Sequence, residues 1–182
     1  IYTINSLIIM NGLSQNQTTK PKLKIKGVKP KKLIIKTHTQ LKFIDLFCGI
    51  GGFHQALSKL DAKCILACDI DKFCREVYTN NYAITPCEDV KKIDPLELED
   101  FDIICGGFPC QAFSNAGKKK TFEDDRGLLF DEIIRIAKHK KPKFMFLENV
   151  KHILKVGKGE VIKYIKEKLD AINYNVQIFN MS

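Results

Sequence analysis

The sequence predicts an open, mostly parallel α/β sheet of the doubly wound kind. From Leu41 onward, short apolar runs alternate with segments of helical period, and a glycine-rich turn follows the first run. Acidic residues close two later runs. Strand, turn, helix and strand in succession require right-handed crossovers, because a two-residue hairpin cannot join parallel neighbours.

The runs Leu41–Phe47, Cys64–Asp69, Asp102–Gly106, Lys143–Leu147 and Val176–Phe179 read as buried strands. Between them, Phe73 and Val77 fall four apart, Leu129, Ile133 and Ile136 repeat at helical spacing, and Val161, Ile165, Leu169 and Ile172 do the same. These stripes predict three amphipathic helices with apolar faces turned to the sheet.

A chain of 182 residues, 45% of them hydrophobic, supports one domain with a real core. The net charge of +9 is unevenly placed. No acidic residue precedes Asp45, while Lys20, Lys22, Lys24, Lys26, Lys29, Lys31, Lys32, Lys36 and Lys42 account for the whole excess. Residues 1–40 therefore read as a basic, disordered leader outside the core, and residues 41–182 as the folded domain. Such an arm either tracks phosphates or is simply solvated.

No apolar run reaches the roughly 18 residues that span a bilayer, and Ile1–Met10 lacks the features of a signal peptide. The seven cysteines are an odd count, and the spacing of Cys64, Cys68 and Cys74 matches no zinc pattern, so reduced thiols, no metal site and a cytoplasmic location are expected. Cys64 and Cys68, within an apolar run, read as buried thiols.

After the first strand, Asp45-Leu46-Phe47-Cys48-Gly49-Ile50-Gly51-Gly52-Phe53 forms a turn whose glycines let backbone approach a ligand. The same glycines also serve tight geometry alone. Asp69 at the end of the second strand suits the two hydroxyls of an adenosine ribose, with Asp71 the better helix cap. Glu88-Asp89-Val90 offers a further carboxylate at that edge, suited to an adenine amino group. These features point to an adenosine cofactor without separating a nicotinamide dinucleotide from S-adenosylmethionine.

The next stretch, Gly106-Gly107-Phe108-Pro109-Cys110-Gln111-Ala112-Phe113-Ser114-Asn115, places a thiol at the cofactor edge among polar neighbours. Pro109 restricts the backbone there. Glu148-Asn149-Val150 ends another strand at the same edge, where a carboxyl group can face the thiol's cavity.

Taken together and in order, DLFCGIGG, ACDID, GGFPCQAFSNAG, EDDRGLLF and FMFLENV strongly resemble the bacterial cytosine carbon-5 DNA methyltransferases, over about Leu41 to Ser182. The resemblance implies a Rossmann-like, S-adenosylmethionine-dependent methyltransferase sheet. It implies that Phe47, Gly49, Gly51 and Gly52 lie against the methionine and sugar of the cofactor, that Asp69 holds the ribose, and that Asp89 and Val90 contact the adenine. Ile70 stands where the family often carries a large aromatic on the adenine, so that face should be less complete. Gly107, Pro109 and Leu129 would close the cofactor site.

By the same resemblance Cys110 is the nucleophile, flanked by Pro109 and Gln111, with Glu148 its acid partner and Asn149 a positioning residue. The implied reaction adds a Cys110 thiolate to carbon 6 of cytosine so that carbon 5 attacks the sulfonium methyl. The base must be flipped out of double-stranded DNA to reach the cleft. Lys118, Lys119 and Lys120, in the loop after the cysteine, are expected to meet phosphate.

Relatives continue into an arginine-bearing motif and a target-recognition region that this sequence lacks. Truncation, a split enzyme with a second polypeptide, or a partial sequence of a longer protein are the alternatives. The expected role is the modification enzyme of a restriction-modification system in the bacterial, nucleoid-associated cytoplasm. A transfer-RNA cytosine-5 methyltransferase and an inactive cofactor-binding remnant are the competing functions.

Overall fold

In the computed structural model, residues 6–12, 40–109 and 128–180 are described. The apolar runs form strands β2 (Lys42–Leu46), β3 (Lys63–Cys68), β4 (Ile103–Gly106), β5 (Phe144–Asn149) and β6 (Tyr174–Asn180). Helices α1 (Gly52–Ser58), α2 (Lys72–Tyr82), α3 (Leu128–Lys140) and α4 (Glu160–Asp170) lie between them. Each strand lies within two residues of its expected bounds, and β5 continues through Glu148 and Asn149 rather than stopping before them.

Strand β2 pairs in parallel with β3 on one side and β4 on the other, and β4 pairs in parallel with β5. Successive side chains along a strand face opposite sides, which sorts the core into two layers. Ile44, Leu46, Ile104, Met145 and Leu147 pack with Phe130, Ile133 and Ile136 of α3 and Val161, Ile165 and Leu169 of α4. Phe43, Ala67, Ile103 and Cys105 pack with Leu57 of α1 and Tyr78 of α2. The sheet is thus covered on both faces, as its near-continuous apolar strands require.

Residues 1–40 were expected to lie outside the core, and at Ser6–Gly12 that reading is corrected. This segment is a strand, β1, giving the order β3-β2-β4-β5-β1-β6 with β1 antiparallel to both neighbours. The β5–α4–β6 crossover leaves a gap one strand wide, and a chain filling it finds ladder partners on both sides. Leu7-Ile8-Ile9-Met10 is too short an apolar run to stand out from polar surroundings, and its partners lie more than 130 residues away in the register Ile8↔Leu147. The Lys-rich remainder of the leader lies outside the described residues.

Helix α2 does not pack as its expected stripe would have it. Phe73 and Val77 are 76% and 41% exposed, whereas Tyr78 is completely buried. A polar network fixes that face. Tyr78 Oη lies 2.7 Å from His54 Nδ1 of α1 and donates to Oδ2 of Asp45 at 3.3 Å. Asp45 is itself fully buried, and its Oδ1 has no hydrogen-bond partner among the described residues. Burial pushes the Asp45 carboxyl up to about 7; the Tyr78 hydroxyl and the His54 backbone offset part of this, and the negative charge of Asp69 adds to it.

The architecture sets two expected outcomes. An Ile9→Pro substitution removes a ladder N–H from the interior of the sheet and leaves a carbonyl unpaired, so urea denaturation should show a loss of about 2 kcal/mol. An unchanged midpoint would place the segment outside the sheet. For Asp45, unfolded and folded chains are both protonated below about pH 4, so no penalty operates there. Between about pH 4 and 7 the unfolded chain loses the proton that the folded chain keeps, and stability falls by on the order of 4 kcal/mol, levelling off above. Asp45→Asn should flatten that decline in denaturation series across the same range; an equally steep decline would assign it to other groups.

Candidate functional site

The carboxyl end of β2 runs directly into the glycine turn. Phe47, Gly49 and Gly51 all have positive φ, at 54°, 53° and 94°. For Phe47 this is an unusual conformation, of the kind that concentrates at ligand sites. A Cβ at Gly49 or Gly52 would meet nothing within 4 Å, so backbone is open to an approaching group at both positions. At Gly51 a Cβ would fall inside the Tyr82 ring, whose hydroxyl donates to the Gly51 carbonyl at 3.0 Å. Tyr82 in turn stacks on His54 with centroids 3.9 Å apart. The turn is therefore supported from beneath by α2 and open above.

Asp69, at the end of β3, braces the turn from the side. Its Oδ2 accepts from the Gly49 N–H at 2.7 Å, and its Oδ1 accepts from the Asp71 N–H at 2.9 Å. Asp71 caps α2 by accepting from Phe73 and Cys74, as the sequence suggested. Ile70 is 73% exposed beside it.

The segment carrying Asp89 is drawn alongside by a parallel bridge between Cys68 and Cys87, with Asp69 N–H donating to the Cys87 carbonyl at 3.0 Å and Cys87 N–H to the Ala67 carbonyl at 2.8 Å. Asp89 accepts from the Lys91 N–H and opens a single 3₁₀ turn, which buries Val90. Arg75 ties the two segments together: its guanidinium donates to the carbonyls of Asp69 and Ile70, and it lies 3.8 Å from Glu88 Oε1. Sequence reasoning missed Arg75 and Tyr82, because a basic or aromatic residue on a helix gives no local sign of which strand end it reaches.

The other half of the site is built at the ends of β4 and β5. A Cβ on Gly106 would press on the Leu46 carbonyl, and one on Gly107 would lie 3.2 Å from Oε2 of Glu148, so both glycines permit close packing. Asn149 is buried, and its side-chain amide donates to the Phe108 carbonyl at 2.7 Å. Phe108 is buried against Phe130 of α3 at a centroid distance of 5.4 Å. Together these contacts hold the Phe108-Pro109 segment beside Glu148. Burial raises the Glu148 carboxyl above its ordinary range, which favours a protonated acid. Leu129 packs against the main core. Cys110, Gln111 and Lys118–Lys120 lie outside the described residues.

One edge thus gathers Phe47, the glycine turn, Asp69, Asp89, Gly107, Glu148 and Asn149. Residues 41–181 match the family model for C-5 cytosine-specific DNA methylase. The chain is 44% identical over 137 residues to the Type II methyltransferase M.HhaI of Haemophilus parahaemolyticus, covering 75% of this chain and 42% of that protein. It is 48% identical over 139 residues to the Type II methyltransferase M1.ScrFI of Lactococcus lactis subsp. cremoris, covering 74% and 35%. Among solved structures, a DNMT2 variant of Spodoptera frugiperda superposes with a TM-score of 0.58 at 28% identity, over 74% of this chain and 42% of that one. The chain spans less than half the length of these relatives. With the family match covering everything from the first parallel strand to near the last residue, the chain belongs to the C-5 cytosine-specific DNA methylases.

Proposed function

We propose that this chain is the cofactor-binding and nucleophile portion of an S-adenosylmethionine-dependent DNA (cytosine-5) methyltransferase, working as the modification enzyme of a restriction-modification system. The observation that carries the reading is the Asn149–Phe108 hydrogen bond, which sets the residues leading into Cys110 next to a Glu148 carboxyl of raised proton affinity.

The residues at the edge fit the cofactor. The turn from Asp45 to Gly52 contains no basic side chain, and the Asp69 carboxylate lies beside it at the Gly49 amide. That charge suits a sulfonium cofactor better than the anionic phosphates of a dinucleotide. Gly49 and Gly52 leave room for its methionine and sugar parts, Asp69 keeps lone pairs for the ribose hydroxyls, and Asp89 and Val90 stand where an adenine would lie. The exposed Ile70 offers an aliphatic cover to that ring. When bound, S-adenosylmethionine supplies an electrophilic methyl group.

The remaining chemistry falls to the protein. Cytosine carbon 5 is a poor nucleophile until a Cys110 thiolate adds at carbon 6 and breaks the ring's aromaticity. Glu148 hydrogen-bonds ring nitrogen 3 and the exocyclic amine, stabilising the charge that this addition puts on the ring. Asn149 acts through the Phe108 carbonyl to hold Phe108 and Pro109, the residues leading into Cys110. The cytosine is flipped from duplex DNA, at a cost of a few kcal/mol, and Lys118–Lys120 meet the phosphates. Sequence recognition and part of the DNA grip come from a target-recognition region, either beyond this sequence or on a second polypeptide.

The test is transfer of radiolabelled methyl groups from S-adenosylmethionine to duplex DNA and to transfer RNA, with the chain alone and with the candidate partner polypeptide. Label in DNA at carbon 5 of cytosine is expected. Label in RNA alone would support the competing substrate, and binding of cofactor without transfer to either would mark a remnant. Cys110→Ser should abolish transfer, and Glu148→Gln should lower it by about 10²-fold or more while leaving cofactor affinity unchanged. Full activity of either variant would remove that residue from the mechanism. Calorimetry should show S-adenosylmethionine binding weakened about tenfold or more by Asp69→Ala, as expected for lost hydrogen bonds to a charged group; equal affinity would refute the ribose assignment.

A further inference from the structure

We propose that Cys68 and Cys87 are a reversible dithiol–disulfide pair that weakens cofactor binding when oxidised. The coupling to cofactor rests on the S-adenosylmethionine reading above, whereas the pair itself rests on backbone geometry.

Cys68 ends β3 and Cys87 is its partner in a parallel bridge, held by hydrogen bonds from the Asp69 and Cys87 amides. Side chains of such partners emerge on the same side of the sheet, and their Cα atoms stand about 4.8 Å apart, inside the disulfide window of roughly 4.4–6.8 Å. No other pair of the described cysteines is bridged in this way. The neighbouring Cys68 thiol and, less, the Arg75 guanidinium hold the Cys87 thiol below its ordinary range, whereas Cys68 is held above its own. Cys48, Cys64, Cys74 and Cys105 are all shifted upward by burial. Cys87 is also only partly buried, whereas Cys68 is 2% exposed. Entry is therefore through Cys87.

The step balances with a low-molecular-weight disulfide such as glutathione disulfide as oxidant. The Cys87 thiolate attacks one sulfur of that disulfide and expels one thiolate, leaving a mixed disulfide on Cys87. Cys68 gives up its proton and attacks the Cys87 sulfur, expelling the second thiol. Two protein thiols are oxidised to one disulfide, and one small disulfide is reduced to two thiols.

The consequence falls on the cofactor edge because each cysteine immediately precedes residues that line it. Disulfide partners need Cβ atoms about 3.5–4.5 Å apart, closer than neighbouring strands normally hold them, so the bond pulls the two segments together and stays easily reduced. Asp69 is the next residue after Cys68, and its carboxylate holds the amides of Gly49 and Asp71. Glu88 and Asp89 come directly after Cys87. Shifting both segments disturbs the ribose and adenine positions together.

The experiment uses the Cys110→Ser chain, so that the proposed nucleophile cannot react, incubated with glutathione disulfide and then with dithiothreitol. Peptide mapping should find a Cys68–Cys87 crosslink in the oxidised sample, and calorimetry should show S-adenosylmethionine bound at least fivefold more weakly, with recovery after reduction. Adding Cys87→Ser should leave affinity normal and unresponsive to the oxidant. Glutathione adducts without the crosslink would overturn the pair, and a crosslink without a change in affinity would overturn the coupling. Should the reduced protein bind no S-adenosylmethionine at all, the cofactor reading fails and the coupling with it, a result distinct from either.

Discussion

Parallel pairing of β3, β2, β4 and β5 puts the carboxyl ends of these four strands at one edge, and the candidate site depends on that alignment. Asp69, Phe47, Gly107 and Glu148 are distant in sequence, yet each stands at or just past the end of its strand. The register matters as much as the direction. Between Phe43 and Ile44 the pairing with β3 skips Ile65, so that Asp45 faces Ala67 and Leu46 faces Cys68. Asp69 then comes opposite Phe47 and reaches the Gly49 amide. Without that extra residue the carboxylate would stand one step away and face the other side of the sheet.

Under the turn lies a buried polar group that the core satisfies only in part. Asp45 is buried with one oxygen unpartnered, close to Tyr78, His54 and the thiols of Cys48 and Cys64. An apolar residue of similar size would cost less to bury. The carboxyl supplies instead a hydrogen bond that seats Tyr78, and through the aromatic group of Tyr78, His54 and Tyr82 it backs Gly51. Local instability here is the kind of rule-breaking that accompanies ligand sites, where the turn must hold one shape before the ligand arrives.

The strands and the two halves of the site were legible because their signals are local. An apolar run, a glycine at positive φ and a carboxylate ending a strand are each readable within ten residues. Three things were hidden for one reason, that they depend on partners remote in sequence. The buried face of α2 is chosen by Tyr78 reaching Asp45 rather than by Phe73 and Val77. The contact of Asn149 with the Phe108 carbonyl spans 41 residues. Strand β1 has no distinguishing pattern of its own, and only the gap between β5 and β6 explains its place.

That last strand bears directly on the reactive edge. In the antiparallel ladder Leu7 is opposite Glu148 and Ser6 is opposite Asn149, so the N-terminal strand pairs with the residues whose side chains face the proposed nucleophile segment. Without β1, the end of β5 would be an edge held on one side only, by β4, whose pairing stops at Gly106↔Leu147. Glu148 and Asn149 lie beyond that last pair and rely on β1 for their backbone restraint. A carboxyl group proposed to meet a flipped base within hydrogen-bond distance tolerates little backbone freedom. A segment that reads by composition as a leader outside the core is thus the support on which the backbone position of Glu148 rests.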